Sequence, residues 1–227
     1  KPVVTSTASV DRLDDAIAGV RRQIDSGGKV FWVCPLVEES ETIDVAAATA
    51  RHTALQQRFG DRVGLVHGRM SGKEKDAVMA RFTGKADPAL DILVATTVIE
   101  VGVDVPDATV MIIEHAERFG LAQLHQLRGR IGRGTRDATC LLLFGRDTGK
   151  TARERLRVLR DTDDGFEIAE QDLRLRGAGD VLGTRQSGLP EFRLVDLEAH
   201  ADLLAIARDD ARLIVNRDPE LKSARGN

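Results

Sequence analysis

Aromatic side chains are scarce in this chain of 227 residues: tyrosine is absent, and Trp32 is the single tryptophan. Proteins that hold single-stranded nucleic acids commonly stack the bases on rows of aromatic side chains, so this composition argues against a broad stacking platform. The formal net charge is −3. Any contact with a nucleic acid must therefore come from local basic patches and not from bulk charge.

Cysteine is also rare, and each of the two cysteines lies inside a short apolar segment. Cys34 belongs to VFWVCPL and Cys140 to ATCLLLF. These surroundings predict two buried thiols on strands, with neither a disulfide nor a metal site. The sequence shows neither signal-peptide architecture nor an apolar run of membrane length, which predicts a cytoplasmic protein without a membrane partner. It begins at Lys1 and not at a methionine, which leaves open that it is part of a longer chain.

Short apolar segments alternate with helical patterns through most of the chain. KVFWVCPL, RVGLVHG, DILVATT, TVMIIEHA and ATCLLLFG have the length and composition of buried strands. This alternation predicts an α/β fold, with a parallel sheet covered by helices on both faces. Ligands of such sheets gather at the carboxyl ends of the strands, where HGRM and ATTVIEVGVDVP are predicted to lie.

The pattern changes after about Phe144. Two amphipathic helices joined by TDDG predict a helical hairpin, followed by the glycine-rich segment GAGDVLGTRQSG and a final helix around residues 197–214. The predicted apolar stripes of the hairpin are Ala152, Leu156 and Leu159 on the first helix and Phe166, Ala169 and Leu173 on the second. We therefore divide the chain into residues 1–147 and residues 148–227.

The segment QLRGRIGRG, residues 126–134, holds three arginines and three glycines in nine residues. If residues 121–133 form one helix, an apolar stripe packs on the sheet and the opposite face carries one amide and two guanidinium groups. The stripe is Leu124, Leu127 and Ile131, and the polar group is Gln126, Arg130 and Arg133. Each glycine inside a helix costs about 1 kcal/mol relative to alanine, which suggests close approach of a ligand to the backbone. Guanidinium groups match phosphate oxygens in pairs, so a polyanion fits; the alternative is a solvated basic face.

Several segments resemble the motifs of superfamily 2 helicases. QLRGRIGRG is similar to motif VI, ATTVIEVGVDVP to motif V, and VFWVCPLVEESE and VGLVHGRMSGKEK to the motif IV region. AERFGLAQLHQLRGRIGRG followed by DGFEIAEQDLRLRGAGDVLGTRQSG resembles the RecG family of bacterial branched-DNA helicases. The second of these segments matches a translocation motif that this family shares with transcription–repair coupling translocases. The resemblance covers essentially the whole chain and implies a RecA-like lobe with a C-terminal hairpin, loop and helix.

Helicases of this kind bind ATP between two RecA-like lobes, of which the first holds the phosphate loop and the Mg²⁺ carboxylate. The resemblance implies that Arg130 and Arg133 are arginine fingers and that Gln126 orients them or senses the nucleotide. A guanidinium group against the charge of a transferring phosphoryl group is worth roughly 10³–10⁵ in rate. In motif V, Gly102 and Asp104 match the residues that face the ribose and the other lobe. The alternative for the aspartate is an ordinary turn carboxylate.

The resemblance also implies a DNA-contacting edge. The residues that it places on the DNA backbone are Thr96, Thr97, His67, Gly68 and Arg69. Glu100 lies between the nucleotide and DNA residues of motif V, where it would couple the two functions. The alternatives are threonine hydroxyls that bind the backbone of their own loop, and a structural histidine.

In the C-terminal part, Arg174, Arg176, Arg185 and Gln186 match the translocation motif. The resemblance implies that the hairpin and the following loop transmit lobe movement to the part that grips duplex DNA. The alternative is a helical cap with a flexible connector.

One further segment, GRDTGKT at residues 145–151, has the appearance of a phosphate-binding loop. Such a loop needs four residues between its glycines, and this segment has three. We therefore interpret Gly149 and its neighbours as the start of the hairpin helix. The sequence also lacks an apolar strand that ends in two adjacent acidic residues. We therefore expect ATP and Mg²⁺ to be bound mainly by an absent first lobe, and we expect neither of them to bind tightly to this chain. Alone, the chain should hydrolyse ATP negligibly.

The function that the resemblance implies is that of a motor lobe in an ATP-dependent branched-DNA helicase. The expected partners are replication forks, Holliday junctions, and the first lobe and wedge domain of the same protein. Two alternatives are the equivalent lobe of a transcription–repair coupling translocase and a non-catalytic nucleic-acid-binding scaffold.

Overall fold

The computed structural model describes residues 2–35, 41–96, 105–180 and 201–217. Within these ranges six strands form one parallel sheet in the order β1-β6-β5-β2-β4-β3. The strands are β1 Val3–Ser9, β2 Lys29–Val33, β3 Val63–Val66, β4 Ile92–Ala95, β5 Ala108–Ile113 and β6 Ala138–Phe144. The α-helices are α1 Leu13–Asp25, α2 Glu41–Phe59, α3 Gly72–Phe82, α4 Leu121–Arg128, α5 Lys150–Asp161, α6 Gly165–Asp180 and α7 Ala201–Arg217. The predicted α/β fold is confirmed.

Both faces of the sheet are buried, which explains why its central strands are almost wholly apolar. On β2, Phe31 and Val33 belong to one core, while Val30 and Trp32 belong to the other. Side chains of α3, α4, α5 and α6 complete the first core, and side chains of α1 and α2 complete the second. The period of two along each strand sends alternate residues to opposite faces.

The first strand is absent from our sequence prediction. β1 lies at the edge of the sheet and pairs only with β6, Val3 opposite Ala138. Thr5 is its single buried residue. An edge strand with one buried position carries no clear alternation of apolar and polar residues, so the remaining signal was its content of valine and threonine.

The predicted burial of the two cysteines is confirmed, although Cys34 directly follows β2 and only Cys140 lies within a strand. Cys34 and Cys140 are free and buried. Burial raises the pKa of each thiol to about 12, and the nearby charge of Glu114 adds to the shift at Cys34. Both groups are therefore protonated, unreactive thiols at neutral pH.

The predicted helical hairpin is present as α5 and α6, and its predicted apolar stripe is correct for α5 and wrong for α6. Leu156 and Leu159 are buried, as the stripe on α5 predicts. On α6 the predicted stripe Phe166, Ala169 and Leu173 is exposed. Ile168 is buried instead, and Leu175 packs partly against the same core. The sequence of α6 offers apolar residues on two faces, and the short turn between the helices decides which face meets the core.

Contacts divide the chain into two compact units, Lys1–Leu182 and Gly183–Asn227. The hairpin belongs to the first unit, where α5 packs on β1 and α6 packs on α4 and α5. Our boundary between residues 147 and 148 follows the change in sequence pattern and stays a prediction. Among the described residues, none of the helices combines the length and the apolar character that crossing a membrane requires.

Candidate functional site

The carboxyl ends of β2, β4 and β3 lie side by side, and they bring the motif IV and motif V segments together. The backbone N–H of Thr96, which follows β4, donates to the carbonyl of Val66 at 3.2 Å. The N–H of Cys34, which follows β2, donates to the carbonyl of Ala95 at 2.8 Å. We call the residues that follow β2, β3 and β4 the strand-end edge.

The loop after β3 forms the outer part of this edge. His67 is half-buried, whereas Gly68 and Arg69 are exposed. A capping box fixes the loop to α3, because the Ser71 hydroxyl accepts from the Glu74 N–H and the Glu74 carboxylate accepts from the Ser71 N–H. The Nδ1 atom of His67 is buried and has no hydrogen-bond partner among the described residues.

Thr96 occupies the inner part of the edge and is 1 % exposed. Its hydroxyl is buried without a hydrogen-bond partner within the described ranges. A DNA phosphate does not reach this hydroxyl in the geometry described, so a contact from this position would need the neighbouring backbone or a local rearrangement. The other motif V predictions, Thr97, Glu100, Gly102 and Asp104, lie outside the described residues.

The helix that we predicted over residues 121–133 is shorter than expected, because α4 ends at Arg128. Gly129 is its C-cap, with ordinary helical angles. Gly132 has a φ of 76°, in the left-handed region, which no helix interior accommodates. The interpretation of both glycines as destabilising positions inside a helix is therefore wrong, since they build the turn that ends it.

The predicted finger residues lie at and after this turn. Gln126 and Arg133 are exposed, and Arg130 is half-buried. The Nε of Arg133 donates to the carbonyl of Gly129 at 3.2 Å, which ties its side chain back over the turn. Leu124, Leu127 and Ile131 are all buried, as predicted.

This turn lies near the edge of the sheet at which the strands begin. The chain passes from the end of β5 through α4 to the start of β6, so Arg130 and Arg133 come just before a strand start. A Cβ on Gly134 would meet the carbonyl oxygen of Pro106, which precedes β5, at 2.5 Å. The predicted finger residues therefore lie near the ends at which the strands begin, and the strand-end edge lies at the ends at which they finish. Residues 97–104 connect the strand-end edge in sequence with the segment that precedes β5.

Arg128 is a site residue that our sequence analysis did not single out. It is 4 % exposed and donates to the carbonyls of Leu159 at 2.8 Å and Thr162 at 3.0 Å. It also forms an ion pair with Asp163 at 2.9 Å. Leu159 lies in the last turn of α5, and Thr162 and Asp163 lie in the turn between α5 and α6, so the arginine joins the end of α4 to the hairpin. Arg128 lies four residues after Leu124 and therefore shares the buried face of α4 with it, which was the sequence signal for its burial.

His125 completes this connection. Its Nδ1 accepts from the guanidinium group of Arg128 at 2.9 Å. Partial burial, followed by the positive charge of Arg128, lowers the pKa of His125, and Asp163 opposes the shift. The histidine is thus kept neutral and able to accept a hydrogen bond.

A buried charge cluster also lies beside the strand-end edge. Glu114, which follows β5, accepts from the indole N–H of Trp32 and from two guanidinium nitrogens of Arg51. The guanidinium group lies 5.6 Å from the centre of the Trp32 ring. This cluster holds α2 against the ends of β2 and β5.

The translocation residues are only partly described. Arg174 is exposed and forms an ion pair with Glu170, one helical turn earlier, at 2.7 Å. The side chain of Arg176 and the residues Arg185 and Gln186 lie outside the described residues. GRDTGKT leads into α5 with Gly149 as the N-cap, as predicted. Among the described residues, no group of three His, Cys, Asp or Glu side chains could hold a metal ion.

Two family comparisons match most of the chain. The helicase conserved C-terminal domain matches residues 8–135. A second family, described as ATP-dependent DNA helicase RecG, domain 3, C-terminal, matches residues 162–226.

Curated relatives give the same result. ATP-dependent DNA helicase RecG of Acidithiobacillus ferridurans is 50 % identical over 224 residues, which is 98 % of this chain and 32 % of the relative. The protein of the same name from Escherichia coli (strain K12) is 49 % identical over 225 residues, again 98 % of this chain and 32 % of the relative. The chain therefore spans about a third of the length of these relatives.

Solved structures agree with the fold. A structure of RecG bound to a three-way DNA junction is 46 % identical and has a TM-score of 0.69, covering 90 % of this chain and 26 % of that one. Domain 2 of the DEAD-box helicase Mss116p, bound to an RNA duplex, is 17 % identical with a TM-score of 0.52, covering 95 % of this chain and 78 % of that one. The second similarity supports the fold alone.

Proposed function

The chain belongs to the family of helicase conserved C-terminal domains, and we propose that it works as the second motor lobe of an ATP-dependent, branched-DNA helicase of the RecG type. The observation that carries this proposal is the turn after α4, which presents Arg133 at the surface of a segment that matches motif VI. The curated RecG relatives are about three times as long as this chain, which leaves room for the first lobe and the wedge domain.

The turn supplies the nucleotide side of the proposed site. Arg133 is exposed, and Arg130 has no hydrogen bond or ion pair from its side chain within the described ranges. The guanidinium group of Arg130 can therefore turn to a triphosphate held by another lobe. That of Arg133 would reach the same triphosphate from the surface after its bond to the Gly129 carbonyl is released, and both would stabilise the charge of the transferring phosphoryl group. Gln126, exposed one turn earlier, would orient them. Gly102 and Asp104 would face the ribose by their match to motif V.

The strand-end edge supplies the DNA side. Gly68 and Arg69 are exposed there, and the loop is held in place by the capping box of α3. Backbone N–H groups and one guanidinium group suit phosphate oxygens, which position a nucleic acid without reading its sequence. His67 and Thr97 complete the proposed contact surface, and Thr96, which is 1 % exposed, would join it only after a local rearrangement.

Coupling between the two sides runs through the hairpin in this proposal. Arg128 holds the turn of the hairpin to the end of α4, two residues before the first predicted finger. A displacement of the finger segment would therefore move α5 and α6 together with it. Glu100 would couple the two ends of motif V, and the remaining coupling residues would be Arg174, Arg176, Arg185 and Gln186.

When bound, Mg²⁺ would neutralise the charge of the ATP phosphates. The described residues offer no cluster of ligands for it. Its ligands would therefore come mainly from the first lobe, with the fingers of this chain approaching from the opposite side.

Replacement of Arg133 by alanine in the longer protein tests the proposal. We expect DNA-stimulated ATP hydrolysis to fall by roughly 10³-fold or more, because a finger guanidinium is removed. Binding of a labelled three-way junction should be essentially unchanged, since the contact is with the nucleotide. Arg136→Ala, at an exposed arginine three residues further on, is the matched control. Equal ATPase rates in the two variants would refute the finger assignment.

The runner-up is the equivalent lobe of a transcription–repair coupling translocase. The match of residues 162–226 to the C-terminal part of RecG domain 3 favours the RecG type. A non-catalytic scaffold would show no ATP hydrolysis in the longer protein, so the measurement on the unmodified longer protein decides that alternative.

A further inference from the structure

The helix α5 carries an unusual density of positive charge. Its twelve residues, KTARERLRVLRD, include five of the 33 lysines and arginines of the chain. Leu156 and Leu159 face the core. Four exposed cations, which we call the α5 basic stripe, are Lys150, Arg153, Arg157 and Arg160. The chain as a whole has a net charge of −3, so this concentration is local.

The stripe forms a single row along the helix. Its members are spaced by three, four and three residues, which places them within about 80° of each other around the helix axis. At about 1.5 Å per residue, the row is about 15 Å long. One strand of B-form DNA carries a phosphate about every 3.4 Å along the duplex axis, so the row spans about four phosphates.

Three members of the row are available to an external anion. Lys150 and Arg157 form no ion pair within the described ranges. Arg153 donates to the carbonyl of Arg146 at 3.3 Å and lies 5.3 Å from the centre of the Phe144 ring. These two partners carry no charge, so they hold the side chain in place and leave its positive charge unneutralised.

The fourth cation, Arg160, is paired with the carboxylate of Asp161 at 2.7 and 3.1 Å. Glu154 and Asp161 lie beside the row, and together with Arg157 they line the cleft between α5 and α6. With four cations and these two carboxylates, the net charge of the row and its immediate surroundings is close to two.

We infer that the α5 basic stripe binds the phosphate backbone of duplex DNA, as a contact surface separate from the strand-end edge. The inference rests on the proposed function, which makes DNA the expected polyanion. α5 follows β6, which lies two strand spacings from β2 and four from β3, or about 10 Å and about 19 Å across the sheet at about 4.8 Å between neighbouring strands. Rigidly spaced guanidinium groups suit phosphate oxygens better than the flexible carboxylates of an acidic protein surface.

The test is the salt dependence of DNA binding by this chain without ATP. Fluorescence anisotropy of a labelled short duplex, over a series of KCl concentrations, gives the slope of log K against log [salt]. Combined replacement of Lys150, Arg153 and Arg157 by glutamine should reduce the magnitude of that slope by about 2.7, or about 0.9 for each phosphate that the variant no longer neutralises. The matched control replaces Arg21, Arg22 and Arg58 by glutamine, which removes the same charge from the helices on the opposite face of the sheet.

Circular dichroism establishes that both triple variants are folded. A slope that falls in the stripe variant and not in the control supports the inference. Equal slopes in the two variants, or no duplex binding by the unmodified chain at low salt, overturn it. Neither result depends on ATP hydrolysis, so the Arg133→Ala experiment still decides the proposed function separately.

Discussion

The three arginines of QLRGRIGRG have the same side chain and three different surroundings. Arg128 is buried and bound to two carbonyl oxygens, a histidine and a carboxylate. Arg130 is half-buried, and Arg133 is exposed. The charge pattern alone groups them as one basic cluster. Burial separates them, because a charged group inside the protein must be fully hydrogen-bonded and one at the surface is available to a ligand.

Replacing Arg128 by methionine should lower the free energy of unfolding by about 2–3 kcal/mol, because the variant lacks the hydrogen bonds from a charged donor to buried carbonyls. Urea unfolding of the chain, followed by the fluorescence of the buried Trp32, measures the change. Arg136→Met, at an exposed position, should leave the midpoint unchanged. Equal stability of the two variants would mean that Arg128 does not hold the hairpin.

Helices α4 and α6 show where a regular pattern misleads. Apolar spacing predicted that α4 would continue to residue 133, yet it ends five residues earlier. Leu124, Leu127 and Ile131 are nevertheless buried, as the longer helix predicted. Ile131 lies beyond the end of α4, and the turn brings it back to the core. For α6 the predicted stripe is on the exposed side, with Phe166 68 % exposed. Periodicity locates an apolar face, and the connecting turn determines its direction.

The two glycines at the end of α4 should respond differently to alanine. Gly132 has a positive φ, so Gly132→Ala should cost about 1–2 kcal/mol of folding free energy. Gly129 has helical angles, and a Cβ there would meet its nearest atom at an ordinary 3.5 Å.

Gly129→Ala should therefore leave stability unchanged or raise it by about 0.4–1 kcal/mol, because the unfolded chain loses freedom. The same urea titration compares the two variants. A loss at Gly129 as large as that at Gly132 would favour the continuous helix of our sequence prediction over the turn.

In the described part of the molecule, the two sets of predicted site residues lie at opposite ends of the strands of one sheet. The strand-end edge carries the residues proposed to contact DNA, and the start of β6 lies next to the predicted fingers. A parallel sheet makes this possible, because each crossover helix carries the chain from the edge where one strand ends to the edge where the next begins. The sequence contains no phosphate loop, so our proposal gives this chain the residues that complete an ATPase site and gives the first lobe those that bind the phosphates.

The isolated chain should therefore show no Mg²⁺-dependent ATP hydrolysis above background, with or without branched DNA. A coupled assay of phosphate release measures this, and the longer protein with both lobes is the positive control. Clear turnover by the chain alone would show that its residues form a complete site and would contradict the division between two lobes.

Much of the candidate site could be predicted because its signals are local in sequence. HGRM follows β3 and Thr96, the second residue of ATTVIEVGVDVP, follows β4, and the structure brings His67 and Thr96 to the same edge. The burial of the Thr96 hydroxyl could not be predicted, because it depends on how neighbouring segments pack over the strand end. Glu114 was missed for a related reason, since its partners Trp32 and Arg51 lie 82 and 63 residues away in sequence.

The amino-acid sequence by itself determined the α/β fold, the buried cysteines and the helicase family, because apolar runs and motifs are properties of neighbouring residues. Tertiary structure alone decided that α4 ends at Arg128 and that α6 turns Ile168 to the core. It also decided that Arg128 holds a carbonyl 31 residues away. The physical reason is that each of these outcomes depends on which distant segments share a buried interface, and packing in three dimensions sets those contacts.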